Sequence, residues 1–141
     1  MNEILNDFTV VEKMPVRWGD MDARGHVNNT IYYRYFESSR IALFRFLNIY
    51  EEPTKVRIGP ILSYQNCYYK APLTYPDTIY VGAKITNIEE SKIIIKHILV
   101  SKKSNRKVAE GEAHIIWYDY ENQKKANISD DLKQELLKSK N

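Results

Sequence analysis

The sequence has a single cysteine, Cys67, and this scarcity excludes two classes of structure. One thiol forms no disulfide within the chain and supplies no cluster of thiolate ligands to a metal. No acid or base motif that would make Cys67 a nucleophile surrounds it, so we expect a buried structural thiol. A reducing, cytoplasmic setting is consistent with this cysteine content.

Long apolar runs and a large charge imbalance are also lacking. No stretch approaches the roughly 20 apolar residues of a membrane-spanning helix. The first residues, MNEILNDFTVVEKM, lack the basic segment and apolar run of a signal peptide. The formal net charge of +3 is too small to require a nucleic acid but suits an anionic small molecule. We therefore expect neither membrane insertion nor nucleic acid binding.

The chain does have the length for one hydrophobic core and a large share of tyrosine. Its 141 residues favour a single domain, 1–141, that folds without disulfides or metals. Hydrophobic residues at 43% and charged residues at 28% are ordinary for a globular protein. The 11 tyrosines are amphipathic rings that serve well at pocket walls and subunit contacts.

Periodic patterns predict one long helix and a set of strands. Apolar residues recur at three- and four-residue spacing over about 29–47, which indicates a helix with Asn28 or Asn29 as its cap. The residues that define this stripe are Ile31, Tyr35, Ser38, Ala42 and Phe46, and Tyr32, Phe36 and Leu43 widen it. Strands are predicted at 8–18, 61–70, 78–88, 91–102 and 108–120, and a short amphipathic helix at 127–139. The segment 50–60 breaks the pattern with Pro53, Gly59 and Pro60, and we expect it to cap the core or act as a flap.

The order of these elements predicts the architecture. One helix covers a five-stranded sheet only if the sheet curls around it. We therefore expect an α+β fold in which a curved antiparallel sheet of about five strands wraps one long central helix. Two such units would pair to protect their sheet edges.

The stretch RWGDMDARGHVNNTIYYRYFESSR, residues 17–40, carries the most specific pattern. It resembles the signature of the hotdog-fold acyl-CoA thioesterases of the 4-hydroxybenzoyl-CoA thioesterase type. The stretches YYKAPLTYPDTIYV and KVAEGEAHIIWYD are similar to later strands of that family, so the likeness covers about residues 8–120. The resemblance implies a hotdog fold, hydrolysis of an acyl-CoA thioester, and an active site shared by the subunits of a homodimer or a dimer-of-dimers tetramer.

The chemistry of thioester hydrolysis explains why a carboxylate, a glycine turn and a helix start lie so close together. The carbonyl oxygen needs a hydrogen-bond donor, and free N–H groups at a helix start provide one. The attack needs a carboxylate or another base, whereas the thiolate leaves easily because a thiol has a pKa of about 8.5. Gly25 allows the sharp bend that brings Asp22 and the helix start together.

The resemblance also assigns roles to individual residues. Asp22 matches the family's nucleophile or general base, and the N–H of Asn29 matches the donor that polarises the carbonyl. His26 is a further catalytic candidate, although a structural role is equally open. Residues expected to contact the substrate are Gly25, Val27, Asn28 and Tyr32. No cofactor is expected, since coenzyme A is part of the substrate, and no metal, since the Asp20 and Asp22 pair has no third ligand at useful spacing.

Other polar residues have structural interpretations. Asp20 is predicted to organise its loop or to be a hydrogen-bond partner of Arg17. Glu37 is predicted to be a buried, hydrogen-bonded support that pairs with Arg40 or with a backbone group, with catalysis as the alternative. The strand histidines His97 and His114 are expected to be structural, and the basic tip at 102–107 either contacts the phosphates of CoA or is solvated.

Two other functions remain open at this point. An enoyl-thioester hydratase or dehydratase on the same fold would pair an acid with a histidine on one loop, as Asp22 and His26 could, although ARGHVNN departs from the loop of those enzymes. A non-catalytic acyl-CoA binding protein is the third possibility.

Overall fold

The computed structural model describes residues 3–49 and 57–139 and shows a curled antiparallel sheet with a long helix against it. This is the hotdog fold, as the sequence predicts. The strands are β1 (Val10–Pro15), β2 (Ile58–Gln65), β3 (Tyr68–Tyr69), β4 (Thr78–Ile88), β5 (Lys92–Ser101), β6 (Arg106–Asp119) and β7 (Lys124–Lys125). The helices are α1 (Ile31–Phe46) and α2 (Asp130–Ser139), and short 3₁₀ segments cover Glu3–Asp7 and Trp18–Asp20. No helix among the described residues has both the length and the apolar character needed to cross a bilayer.

The five long strands are hydrogen-bonded in the order β1-β4-β5-β6-β2, so β1 and β2 form the two edges. Pro15 lies at the end of edge strand β1, where its missing N–H breaks no ladder bond within the sheet. Strand β3 also pairs with β6 and continues the edge that β2 begins. One side of the sheet therefore ends in a discontinuous β2–β3 edge.

Two sequence predictions about this edge need correction. The strand predicted at 61–70 is interrupted near Asn66, whose N–H donates to the Glu112 carbonyl and whose Oδ1 accepts from the Glu112 N–H. Gly59 and Pro60 are part of β2 rather than of a break, because an edge strand tolerates proline. The predicted flap otherwise falls on 50–56, which lie outside the described residues.

Helix α1 buries only part of the stripe predicted from the sequence. Tyr32, Tyr35, Phe36 and Leu43 are buried as predicted, whereas Ser38 and Phe46 are exposed. The prediction that Glu37 is buried is wrong, because its side chain is exposed beside this face. The full set of buried residues of α1 is Tyr32, Tyr35, Phe36, Ser39, Arg40, Leu43 and Phe44. A search for apolar periodicity misses Ser39 and Arg40 because both are polar.

Those two polar residues, Ser39 and Arg40, contact His97 of β5 in the core. The Ser39 Oγ donates to the Phe36 carbonyl, so its lone pair accepts from His97 Nδ1 at 2.9 Å. His97 Nε2 then accepts from the Arg40 guanidinium at 3.3 Å, and the imidazole stacks on Phe36 with 5.0 Å between ring centroids. His97 is fully buried in a neutral, bonded state, which confirms its predicted structural role.

Burial and the neighbouring Arg40 charge lower the pKa of His97 to about 3. The unfolded chain binds this proton near the ordinary pKa of about 6.5, so it holds more protons than the native state between those values. Stability from His97 is therefore fully present above pH 6.5 and is lost as the pH falls toward 3. We expect the free energy of unfolding of wild type to fall over this window by at most about 1.4 kcal/mol per pH unit from this one group.

Urea denaturation from pH 7 to pH 4 checks this expectation. His97→Gln removes the titrating group, so its stability should depend less steeply on pH than that of wild type. The matched control is His114→Gln on β6, where the side chain is partly exposed, and this variant should keep the wild-type slope. Identical slopes for wild type and His97→Gln would contradict the expectation.

The outer face of the sheet is covered near the N-terminus. Leu5, in the 3₁₀ segment Glu3–Asp7, is fully buried against Ile98 and Val100 of β5, and Phe8 packs beside them. These residues form a small second core on the side of the sheet opposite α1, so the N-terminal segment is an integral part of the fold.

Candidate active site

The chain turns sharply between β1 and α1, over residues 21–27. Met21 and Val27 pair as an antiparallel bridge, and the Asp22 N–H donates to the His26 carbonyl at 2.9 Å. Gly25 closes the turn in the left-handed region with φ of 81°, which glycine adopts without a steric penalty. The glycine requirement predicted from the sequence is confirmed.

The buried carboxylate of Asp20 holds this turn against the helix. It accepts from the Tyr35 hydroxyl at 2.8 Å and from the Arg17 N–H at 3.0 Å, and the Arg17 guanidinium lies 3.5 Å away. Burial, followed by the bond to Asp20, raises the pKa of Tyr35 far above its ordinary value, so Tyr35 stays a donor. The prediction that Asp20 organises its loop and bonds Arg17 is confirmed.

The backbone N–H groups from Val27 to Ile31 donate hydrogen bonds with one exception. Val27 donates to the Leu73 carbonyl, Asn28 to the Asp20 carbonyl, Thr30 to the Asn28 side chain, and Ile31 to the Asn28 carbonyl. Asn29 is the exception, because its N–H donates to no acceptor in the described part of the chain. The helix cap is Thr30 rather than Asn28 or Asn29, although the Asn28 side chain does accept a bond at this helix start.

A groove of about 310 Å³ opens beside this unbonded N–H. Its lining is His26, Val27, Asn29, Tyr32, Tyr69, Lys70, Ala71 and Pro72. The structure thus brings together four of the residues singled out in the sequence. The other three, Asp22, Gly25 and Asn28, lie on the same bend but outside the lining of this groove.

Asp22 lies on the exposed side of the turn. Its Oδ1 accepts from the Arg24 N–H at 3.0 Å, and its carbonyl accepts from the Gly25 N–H. This geometry leaves Oδ2 open to solvent or to an incoming molecule. Within residues 3–49 and 57–139, no three His, Cys, Asp or Glu side chains cluster closely enough to hold a metal ion.

Two tyrosines, Tyr32 and Tyr69, form one wall of the groove. No pattern in the sequence indicates that Tyr69 belongs to the site. Tyr32 and Tyr69 meet edge to face with 4.9 Å between ring centroids. The Tyr69 hydroxyl also donates to the Asn29 carbonyl at 2.8 Å, so β3 is tied to the helix start. Sequence reasoning noted YYKAP only as a strand and a turn and missed Tyr69, Lys70, Ala71 and Pro72.

Cys67 lies behind this aromatic wall. Burial raises the pKa of its thiol to about 11, so the thiol is neutral at ordinary pH and a poor nucleophile. Burial also raises the pKa of Tyr32 to about 12. Tyr32 is therefore a neutral part of the groove lining, and Lys70 is a basic one.

The basic hairpin tip after β5 is exposed over residues 102–106. Its backbone is tied to the base of β4, because the Lys103 N–H donates to Asp77 and the Lys102 N–H to the Thr78 carbonyl. Lys107 pairs with Glu110 at 2.9 Å, so its charge is already compensated within the chain.

A curled sheet around one helix is the hotdog fold, and a helix-start N–H that bonds no acceptor in the described chain, on a residue that lines a groove, is suited to stabilising an oxyanion. Comparison with known proteins identifies the family. The model of the thioesterase-like superfamily matches residues 16–136, so the chain belongs to that family. It is a thioester hydrolase.

The individual relatives have low sequence identity to this chain. The uncharacterized protein YsmA of Bacillus subtilis (strain 168) is 25% identical over 130 residues, which cover 92% of this chain and 86% of YsmA. Among solved structures, the PA2801 protein of Pseudomonas aeruginosa has 28% identity and a TM-score of 0.80, covering 90% of this chain and 97% of that one. The gentisyl-coenzyme A thioesterase BH1999 has 22% identity and a TM-score of 0.77 over 90% of this chain and 99% of its own, which is a likeness of fold.

Proposed function

We propose that this protein hydrolyses an acyl-CoA thioester to the free acid and coenzyme A. The observation that carries the proposal is the Asn29 N–H at the start of α1, which bonds no acceptor in the described chain and belongs to a residue that lines a groove, with the exposed Asp22 carboxylate on the same bend. A donor at the positive end of a helix dipole stabilises the negative charge that forms on a thioester oxygen during attack. No cofactor or metal takes part in the proposed reaction.

In the proposed mechanism, the thioester carbonyl oxygen accepts a hydrogen bond from the Asn29 N–H. Asp22 then acts in one of two ways. As a nucleophile, its carboxylate adds to the carbonyl carbon, the C–S bond breaks, and water hydrolyses the resulting mixed anhydride. As a general base, it takes a proton from water while that water attacks the same carbon. His26, at the rim of the groove, would orient the substrate or assist proton transfer.

The complete site is proposed to form in a homodimer or a dimer of dimers. In the part of the chain that the structure describes, the β2–β3 edge leaves one side of its backbone unpaired, and it carries exposed apolar side chains. They are Ile58, Ile61, Leu62, Tyr64, Tyr68 and Tyr69. Such an edge favours pairing with a second copy. Because Tyr69 both belongs to this edge and lines the groove, a partner subunit there would cover the groove and bring its own residues to the substrate.

Purified protein is expected to release free thiol from acyl-CoA. A thiol-detection assay over aromatic, short-chain and long-chain acyl-CoA esters tests this and identifies the preferred acyl group. Incubation with crotonyl-CoA separates hydrolysis from hydration, because a hydratase removes the conjugated double bond without releasing thiol. Absence of thiol release across the whole panel would contradict the proposed function, and saturable binding without turnover would instead favour the acyl-CoA binding protein.

A further inference from the structure

Tyr69 belongs to a different part of the chain from the bend that carries Asn29, and yet one hydrogen bond joins them. Its hydroxyl donates to the Asn29 carbonyl across 40 positions of sequence. Burial, and then the neighbouring Cys67, raises the pKa of Tyr69 well above its ordinary value. The hydroxyl therefore keeps its proton at any working pH and always acts as the donor in this bond.

The bond fixes one of the two peptide planes that flank Asn29. In the plane between Asn29 and Thr30, the carbonyl is held by Tyr69 and the N–H by the Asn28 side chain at 2.9 Å. In the plane before it, the Asn28 carbonyl accepts from the Ile31 N–H, which leaves only the Asn29 N–H without an acceptor in the described chain. The Asn29 N–H lies in this earlier plane, which joins the Tyr69-bonded plane at the Asn29 Cα, so the Tyr69 bond fixes the neighbouring plane that limits how the N–H can be oriented.

The ring of Tyr69 is itself fixed by its surroundings. It meets Tyr32, a buried residue in the first turn of α1, edge to face at 4.9 Å, and its backbone pairs with Ala109 of β6. The Tyr69 hydroxyl is thus carried by a strand that is paired with β6. It is directed at Asn29, the residue whose N–H is proposed to polarise the thioester carbonyl. Loss of the hydroxyl would leave the aromatic contact in place and remove the bond to Asn29, together with the hydroxyl's hydrogen bond to the Cys67 thiol.

We propose that Tyr69 is a positioning residue for thioester hydrolysis, which holds the peptide planes at the helix start so that the Asn29 N–H points into the groove. This inference rests on the proposed function, since it assigns Tyr69 a part in the same reaction. Tyr69 acts through Asn29 and does not itself supply the oxyanion donor.

Tyr69→Phe tests the inference by a split between kcat and KM. We expect kcat to fall by about 10- to 100-fold, the effect of a small misplacement of a reacting group, while KM stays within about threefold of wild type. The control is Tyr80→Phe on β4, because the Tyr80 hydroxyl bonds no residue that the structure describes and its ring packs with Leu5 and Phe8 on the outer face of the sheet. This control should keep the wild-type kcat.

A second measurement reports the geometry without turnover. In ¹H–¹⁵N spectra of the substrate-free protein, Tyr69→Phe should shift the Thr30 amide, whose peptide plane loses its carbonyl bond, and Tyr80→Phe should not. If the wild type is active, an unchanged kcat in Tyr69→Phe would overturn the inference about Tyr69 but not the proposed function. An unchanged Thr30 amide resonance in Tyr69→Phe would have the same consequence. A wild type that releases no thiol from any acyl-CoA would overturn the proposed function and this inference with it.

Discussion

Replacing Asp22 with asparagine is expected to lower kcat by about 10²- to 10⁴-fold, the usual effect of losing a general base, and by more if Asp22 is the nucleophile. The amide neither adds to a carbonyl carbon nor accepts a proton from water. It does retain an oxygen that can accept the Arg24 N–H bond, and the side chain is exposed, so the fold should be unaffected. Thiol release under saturating substrate, together with the melting temperature, checks both parts.

Two neighbouring acids provide matched controls for this variant. Glu37→Gln removes an exposed charge from α1 and should leave activity and stability near wild type. Asp20→Asn should lower the melting temperature instead, because the Asp20 carboxylate is buried and accepts from Tyr35 and Arg17. Near-wild-type turnover in Asp22→Asn would contradict the proposal, and a large loss in Glu37→Gln would then move the chemistry to the helix.

The time course of wild-type turnover separates the two roles of Asp22. A covalent mixed anhydride releases thiol in a burst ahead of the free acid, whereas general-base attack by water releases both products together. Rapid-mixing measurements with enzyme at substrate-like concentration resolve the two.

The second large effect is expected at Asn29, where alanine and proline should behave differently. Proline removes the N–H and should lower kcat by about 10²- to 10³-fold, the measured scale for loss of one oxyanion donor. Alanine keeps the N–H and should stay within a few-fold of wild type. Since the Asn29 N–H bonds no acceptor in the described chain, proline breaks no intrachain bond at this position.

Steady-state kinetics of Asn29→Ala and Asn29→Pro check this difference, and melting temperatures confirm that both variants are folded. The proline ring also restricts Asn28, so the Asn28 bonds at the helix start are a possible source of instability. Equal losses of kcat in two folded variants would argue against a main-chain donor and in favour of the Asn29 side chain.

Much of the fold could be predicted because local patterns specify it. Strand β4 occupies the residues predicted, 78–88, since alternate side chains such as Ile79, Val81 and Ile85 face one core. Two buried residues of α1 could not be predicted in the same way. Ser39 and Arg40 are polar, and only their contact with His97 of β5 makes their burial favourable.

In the candidate site, too, the features set by local sequence could be predicted and those set by long-range contacts could not. Residues 17–40 form a continuous motif, so the Gly25 turn and the role of Asp20 could be read from it. The part played by Tyr69 depends on a bond to a residue 40 positions away, and no local pattern reports such a contact. Glu37 was misplaced for a similar reason, because a small rotation of the helix face decides whether that position meets the core or water.

The N-terminal segment has a practical consequence for anyone who produces this protein. Leu5 and Phe8 pack over an apolar patch formed by Ile98, Val100 and Tyr80 on the convex side of the sheet. Removing the first eight residues, or displacing them with a short affinity tag, would expose this patch and promote self-association during purification.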